Sequence, residues 1–221
     1  MSMELKIKEL CREAVSKTLL SEKYDTKKRL TLANSISSLL NESLIGIFGK
    51  FYEYSITVYL IEKGSTYIFN KTSCLFDNSK DKHIQLEYEN EHWICITSVF
   101  MFWSCNRELI GNNEYTTSVL KNNIRKICQY QLRKLLTRVE NIEDYLYNNI
   151  TFICDYIREI VHLQTSNYAK GLECLVMKND FHGGSTCWVN NFNDQEDLIV
   201  IYSTQHSGYW CVFFVTLIRH T

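Results

Sequence analysis

The residues best suited to chemistry in this sequence are a cysteine, an aspartate and a histidine towards its end. Cys187, His206 and Asp197 are the residue types of a thiol triad, in which a histidine activates the sulfur and a carboxylate orients the histidine. The pattern around Cys187, Ser-Thr-Cys-Trp, is similar to the Thr-Ser-Cys-Leu pattern around Cys74. Because the region of Cys74 has no matching histidine and aspartate, the shared cysteine favours a packing role over catalysis.

Other catalytic signatures are incomplete. The run His182-Gly183-Gly184-Ser185 resembles the oxyanion loop of esterases, but the sequence has no Gly-x-Ser-x-Gly nucleophile elbow. Its eight glycines form no phosphate-binding loop, and its six histidines include no pair at ligand spacing. We therefore predict a protein that is not an enzyme and that carries no cofactor and no metal.

Composition and charge limit the classes of partner. The chain has 221 residues, 45% of them apolar, which suffices for a sizeable core, and its formal net charge is −1. No apolar run approaches the roughly 20 residues of a membrane span, and the charged N-terminus does not resemble a signal peptide. Nine cysteines without a Cys-x-x-Cys pair are typical of reduced core residues. These features predict a soluble intracellular protein that binds neither nucleic acid nor membrane.

One segment departs from this even distribution of charge. Residues 121–138 include six basic residues and no acidic one, and acidic residues follow on the next predicted helix. Basic helices contact RNA, acidic protein tails or acidic lipid in some proteins. A run of this kind is more often a solvated face balanced by an acidic neighbour, which is our interpretation here.

The sequence contains two similar halves. Two apolar stripes at helical spacing in the first half return 117 and 114 residues later, and strand-like runs follow both pairs of stripes in the same order. The first stripe is Ile7, Leu10, Cys11, Val15 and Leu19, matched by Ile124, Ile127, Cys128, Leu132 and Leu136; the second is Leu32, Ile36, Leu39, Leu40 and Ile47, matched by Leu146, Ile150, Ile153, Cys154 and Val161. In the strands, Leu60 matches Leu175, Cys74 matches Cys187 and Cys95 matches Val212. The pattern predicts a tandem duplication of a unit with two helices and four strands.

Short predicted turns connect the strands of the first half. The turns at residues 63–65, 77–82 and 89–91 are too short for a crossover helix, so neighbouring strands are expected to be antiparallel. The predicted fold class is therefore α+β, with two helices packed on a four-stranded antiparallel sheet in each half.

The strand region of the first half resembles a known family. Thr72-Ser-Cys-Leu-Phe-Asp77 is similar to the Ser-Ser-Cys-Phe-Trp-Asp strand end of the Tctex-type dynein light chains, and Glu89-Asn90 is similar to their acidic-Asn turn. Trp93-Ile-Cys-Ile-Thr-Ser-Val-Phe100 is similar to their closing strand of the Tyr-Cys-Ile-Val-Ser-Ala-Phe kind. The resemblance covers residues 3–103. It is looser in the second half, where Cys187-Trp-Val-Asn190 replaces a Cys-aromatic-aromatic-Asp pattern and the Glu-Asn turn is missing.

The resemblance implies an architecture for the whole chain. Members of the family are homodimers that exchange their second strand. Two such units in one chain, at residues 1–104 and 112–221, are expected to form an intramolecular pseudo-dimer that is monomeric as a chain. Fusion of two subunits through a short linker raises their effective concentration to about the millimolar range, and it leaves the second unit free to diverge.

The resemblance also implies a function. Family members bind an extended peptide by adding it as a strand to the edge of the sheet, usually beside the third strand. The candidate edge residues are Ile84, Leu86 and Tyr88 in the first half and Leu198, Val200 and Tyr202 in the second. A proline at Leu86 is expected to remove a hydrogen-bond donor from this edge. For the apolar Leu198–Tyr202 run, a strand that only completes the sheet is an equal alternative.

The implied partner is a dynein intermediate chain, with other dynein light chains as further candidates. The implied location is the cytoskeleton of the cytoplasm, a cilium or a flagellum, where the protein contributes to motor assembly or cargo attachment. An alternative of a different kind is a dynein-independent adaptor of the same fold in a cytoskeletal or signalling assembly.

Overall fold

The computed structural model describes residues 2–23, 25–64, 68–75, 79–103, 114–136, 142–165, 168–178, 183–190, 198–206 and 209–219. In these residues, two helices followed by four strands occur twice in succession. The elements are α1 (Met3–Leu19), α2 (Arg29–Phe48), β1 (Tyr52–Glu62), β2 (Ile68–Leu75), β3 (Lys82–Glu89), β4 (Trp93–Trp103), α3 (Glu114–Leu136), α4 (Ile142–Gln164), β5 (Tyr168–Lys178), β6 (Gly183–Asn190), β7 (Leu198–His206) and β8 (Tyr209–Arg219). The predicted combination of helices with antiparallel sheets is confirmed.

The chain folds into two compact units, and each is assembled from three segments. The first unit comprises Met1–Ser65, Asn78–Asn106 and Asp180–Phe192. The second comprises Thr66–Asp77, Arg107–Asn179 and Asn193–Thr221. Each unit therefore takes one short segment from the other half of the sequence. That segment carries β6 in the first unit and β2 in the second.

Helix α1 buries the apolar stripe that the sequence predicts. The Ser2 side chain caps the helix by accepting a hydrogen bond from the Leu5 N–H at 3.3 Å. Glu4 and Lys8, one helical turn apart, form an exposed ion pair at 2.8 Å. The stripe residues Ile7, Leu10, Cys11, Val15 and Leu19 are all buried. Because α1 contacts β3, this burial helps to hold β3 against the rest of the sheet.

Helix α2 packs against α1 and against strands β1 and β6. It ends at Phe48 and is followed by Gly49, whose φ of 60° lies in the left-handed region that glycine adopts without the steric cost of a Cβ atom. On β1, the buried Tyr54 hydroxyl lies 3.4 Å from the carbonyl oxygens of Leu44 and Gly49, which end the helix. Burial raises the pKa of Tyr54 to about 12, so the hydroxyl keeps its proton as a donor to these carbonyls.

Four antiparallel strands form the sheet of the first unit in the order β3-β4-β1-β6. Strand β1 pairs with β4 along its whole length of 11 residues. On its other side β1 pairs with β6, from Tyr54 opposite Asn190 to Ile61 opposite Gly183. The first sheet is thus completed by a strand from the C-terminal half.

The sheet of the second unit has the order β2-β5-β8-β7. Strand β2, from the N-terminal half, pairs with β5, and α4 contacts both of these strands. Arg158 on α4 donates from Nη1 to the Cys74 carbonyl oxygen on β2 at 3.3 Å and forms ion pairs with Asp155 and Glu159 at 3.3 and 2.7 Å. The guanidinium therefore ties the exchanged strand to the helix.

The register of the sheets corrects the residue matches between the halves. Strands β1 and β5 correspond under a shift of 116 residues, because they pair with β4 and β8 over the same positions. Leu60 therefore corresponds to Val176 rather than Leu175, and Cys95 corresponds to Cys211. Since side chains alternate between the faces of a strand, the one-residue error had matched residues on opposite faces.

The register also bears on the thiol triad. Cys187 lies on β6 in the first unit and His206 on β7 in the second, while Asp197 falls outside the described residues. By the pairing of the exchanged strands, Cys187 corresponds to Thr72 rather than to Cys74. The match of Cys187 to Cys74 is therefore wrong by two residues. A shift of two residues leaves the cysteine side chain on the same face of the strand but changes the residues that lie beside it.

Candidate functional site

Strand β3 lies at one edge of the first sheet, with β4 as its only neighbour among the described strands. Its eight residues pair with β4 in an unbroken antiparallel register. One side of its backbone therefore has no strand partner within the described part of the chain, and unpaired edges are where a sheet accepts another strand. Strand β7 holds the same place in the second sheet, beside β8.

The turn between β3 and β4 determines which backbone groups face the open edge. The Asn90 N–H donates to the Trp93 carbonyl oxygen at 3.0 Å, so these residues form a hydrogen-bonded pair. In an antiparallel ladder such pairs alternate with pairs that exchange no hydrogen bond. Counting back along β3, the even-numbered residues bond to β4, and the odd-numbered residues direct their N–H and C=O groups to the open edge.

The other side of β4 agrees with this assignment. The Lys63 N–H donates to the His92 carbonyl oxygen at 3.0 Å, so these two residues form a hydrogen-bonded pair. Counting along β4 from this pair, the even-numbered residues form backbone hydrogen bonds with β1 and the odd-numbered residues form them with β3. In the middle of β3, the backbone groups at the open edge thus belong to His83, Gln85 and Glu87. Leu86 bonds to β4 instead, so the expected effect of a proline at Leu86 was assigned to the wrong hydrogen bond.

The candidate residues Ile84, Leu86 and Tyr88 point to the helix side of the sheet. Ile84 is 2% exposed and belongs to the core beneath the helices, and Leu86 and Tyr88 are half-buried against the same core. These side chains hold β3 in place. The residues between them face the opposite side, where Gln85 and Glu87 are exposed. The alternation of polar and apolar residues in the sequence indicates this division between the two faces of β3. The side chains exposed on the face opposite the helices are the polar ones.

His83 is fixed against the sheet on its polar side. Its Nε2 lies 2.9 Å from the Ser98 hydroxyl oxygen on β4, and its ring stacks on Phe100 with centroids 4.5 Å apart. Burial lowers the pKa of His83 to about 4. The imidazole is therefore neutral near pH 7, and it contributes shape and hydrogen bonding at this end of the edge rather than charge.

The turn after β3 is anchored to the end of α1. The Asn90 side-chain oxygen accepts hydrogen bonds from the N–H groups of His92 and Trp93 at 2.9 and 2.8 Å. The Asn90 side-chain nitrogen donates to the Leu19 carbonyl oxygen at 3.1 Å, and the Trp93 indole donates to the Glu22 carbonyl oxygen at 2.9 Å. These four bonds hold the β3–β4 hairpin in one position, which prepares its outer edge for pairing.

The start of β3 is held by a buried carboxylate. Asp81, 2% exposed, accepts a hydrogen bond from the Trp103 N–H at the far end of β4 at 2.8 Å. The hairpin is therefore fixed at both ends, and its open edge is a preformed surface rather than one that a partner must order.

The second candidate edge has a different surface. The candidate residues Leu198, Val200 and Tyr202 are all buried in the core of the second unit. Between them, Ile199 is half-buried and Ile201 is 46% exposed. The run that is apolar on both faces therefore divides into a core face and a partly exposed aliphatic face.

Four of the described thiols lack the character of catalytic nucleophiles. Burial raises the pKa of Cys11 to about 11 and that of Cys74, Cys128 and Cys211 to about 12, so these sulfurs stay protonated near neutral pH.

Within the described ranges, no group of three or more His, Cys, Asp or Glu side chains could hold a metal ion. None of the described helices combines the length and apolarity needed to cross a membrane. On α3, the basic side chains Lys121, Arg125, Lys126, Arg133 and Lys134 are exposed.

Comparisons with known proteins bear on the first half of the chain. Residues 3–102 match the model of the Tctex-1 family, a range that contains α1, α2, strands β1 to β3 and all but the last residue of β4. A search of curated proteins finds no match to the chain. The matched residues include strand β3 and its open edge.

Proposed function

We propose that the chain is a non-catalytic dynein light chain that binds an extended segment of a dynein intermediate chain by strand addition. The observation that carries this proposal is the edge of β3, where the backbone donors and acceptors of alternate residues have no strand partner within the described part of the chain. The hairpin that presents them is anchored at both ends. An incoming strand gains one pair of backbone hydrogen bonds for every second residue. The match of residues 3–102 to the Tctex-1 family supports the choice of partner.

The exchange of β2 and β6 supports a second part of the proposal. Each sheet contains one strand from the other half of the sequence, as in a homodimer whose subunits exchange their second strand. We propose that residues 1–104 and 112–221 are two Tctex-type units and that one chain supplies both halves of the pseudo-dimer. Sedimentation equilibrium tests this proposal, with a mass near 26.1 kDa expected. A stable mass of twice that value would contradict it.

Capture from soluble cell extract tests the partner. The tagged full-length chain should recover a dynein intermediate chain, scored by mass spectrometry, together with its microtubule motor. The matched variants are Gln85→Pro, which removes an N–H from the open edge, and Gln85→Ala, which keeps it. Recovery with Gln85→Ala and loss with Gln85→Pro are expected. Recovery at full strength with Gln85→Pro would exclude the β3 edge as the site.

The same capture separates this proposal from its alternative. A dynein-independent adaptor would recover another protein in stoichiometric amount and no intermediate chain, with the same difference between the two Gln85 variants. That result would keep strand addition at β3 and reject the motor role. The Tctex-1 match is the reason to place the motor role first.

A further inference from the structure

The two candidate edges correspond residue by residue. Strands β3 and β7 pair with β4 and β8 in registers that differ by the same shift of 116 residues that relates β1 to β5. Under this shift, Ile84 corresponds to Val200 and Leu86 to Tyr202, and each of these four residues contacts a core. The core-facing chemistry of the two edges is therefore alike.

The opposite faces of the two edges differ in chemistry. Gln85, which is exposed, corresponds to Ile201, which is 46% exposed. His83, on the same face, corresponds to the half-buried Ile199. A polar edge in the first unit thus corresponds to an aliphatic edge in the second.

Charge increases the difference. Glu87 is exposed on the polar face of the edge strand β3, two residues after Gln85. The next residue on this face, Glu89, forms an ion pair with Lys63 at 2.8 Å. A strand added beside β3 would place a side chain directly opposite Glu87, and cross-strand pairs of opposite charge are favourable whereas like charges repel.

We propose that the two edges take different peptides: the β3 edge takes a strand with Lys or Arg opposite Glu87, and the β7 edge takes a strand with an aliphatic side chain opposite Ile201. The proposal rests on strand addition as the function of both edges. Backbone pairing is common to the two edges, so the side chains on this face supply the difference in affinity. One chain then binds two extended segments of different composition. Two identical edges would not distinguish these segments from each other.

Selection from a displayed library of random 12-residue peptides tests this inference. Two full-length variants each leave one edge available: Ile201→Pro for the β3 edge and Gln85→Pro for the β7 edge, with thermal melting to verify that both are folded. Lys and Arg should be enriched at alternate positions in peptides selected on Ile201→Pro. Ile, Val and Leu should be enriched at alternate positions in peptides selected on Gln85→Pro. Pools with the same composition would overturn the inference.

A charge reversal provides a second measurement. A synthetic basic peptide from the first pool should bind Glu87→Lys about tenfold more weakly than it binds the unmodified chain, whereas Glu87→Gln should lose about threefold. A peptide from the second pool should bind both variants unchanged. Equal affinity of the basic peptide for the unmodified chain and Glu87→Lys would refute the role of Glu87. If the unmodified chain enriches no peptide, strand addition itself fails, which is a distinct result.

Discussion

Two proline substitutions at neighbouring residues test which backbone N–H groups of β3 bond to β4 and which face the open edge. In Leu86→Pro the lost N–H is one that bonds to β4, where Thr97 is the opposite residue. In Gln85→Pro the lost N–H points to the open edge. Proline is tolerated on an edge strand when its missing N–H faces away from the sheet. The two variants should therefore differ greatly in stability, although both place a proline in the middle of the same strand.

The magnitude follows from what surrounds each position. Leu86→Pro removes a backbone hydrogen-bond donor and leaves the buried Thr97 carbonyl without it, at a cost of about 1–3 kcal/mol. Loss of the Leu86 side chain from its contact with the core adds about 1 kcal/mol. A total of about 2–4 kcal/mol corresponds to a fall in Tm of about 4–16 °C for a chain of this size. Gln85→Pro, at an exposed site, should change stability by about 0.5 kcal/mol or less.

Thermal unfolding followed by circular dichroism measures both effects. Leu86→Ala and Gln85→Ala are the matched controls, because each removes the same side chain and keeps the N–H. The difference between proline and alanine at each position then reports the backbone alone. If Gln85→Pro lowers Tm as much as Leu86→Pro does, the assignment of odd-numbered residues to the open edge is wrong.

The remaining predictions concern the turn and the histidine of the same hairpin. Asn90→Ala removes the three side-chain hydrogen bonds to His92, Trp93 and Leu19 and should lower the free energy of unfolding in urea by about 2–3 kcal/mol; Asn90→Asp, which keeps both acceptor bonds, should lose less, and equal losses would contradict the role of the Leu19 bond. His83 has a pKa of about 4 in the folded chain against 6.5 for the free side chain, so the unfolded chain binds more protons between these values. Stability should therefore fall by about 2 kcal/mol as the pH is lowered from 6.5 to 4, and His83→Gln should remove this part of the slope; an unchanged slope in that variant would show that His83 is not responsible.

Some elements could be predicted from the sequence with their boundaries. Strand β1 spans Tyr52–Glu62, a run rich in β-branched and aromatic residues, and ten of its 11 residues are buried. The stripe of α1 is buried at every predicted position. Both signals succeed because they depend on a period within one element, which the sequence contains in full.

The candidate site shows where this kind of reasoning ends. Alternation along β3 identifies which residues share a face, and it correctly groups Ile84, Leu86 and Tyr88. It does not state which backbone groups are already bonded to β4, because that depends on the hydrogen-bonded pair formed by Asn90 and Trp93 in the turn. The matches between the halves failed by one residue for a similar reason, since a similar pattern of residue types does not define a register.

The sequence alone determined the elements of this protein, their order and the faces that they bury, because each depends on local periodicity and on side-chain volume. The tertiary structure decided the partners. Strands β2 and β6 each need a neighbouring strand to pair with, but their residue patterns do not identify the half that supplies this neighbour. In the structure, each of them pairs with the first strand of the other half. The tertiary structure likewise decided which strands lie at the edges of the described sheets, because an edge strand has a neighbour on one side only and this depends on where the other strands are placed.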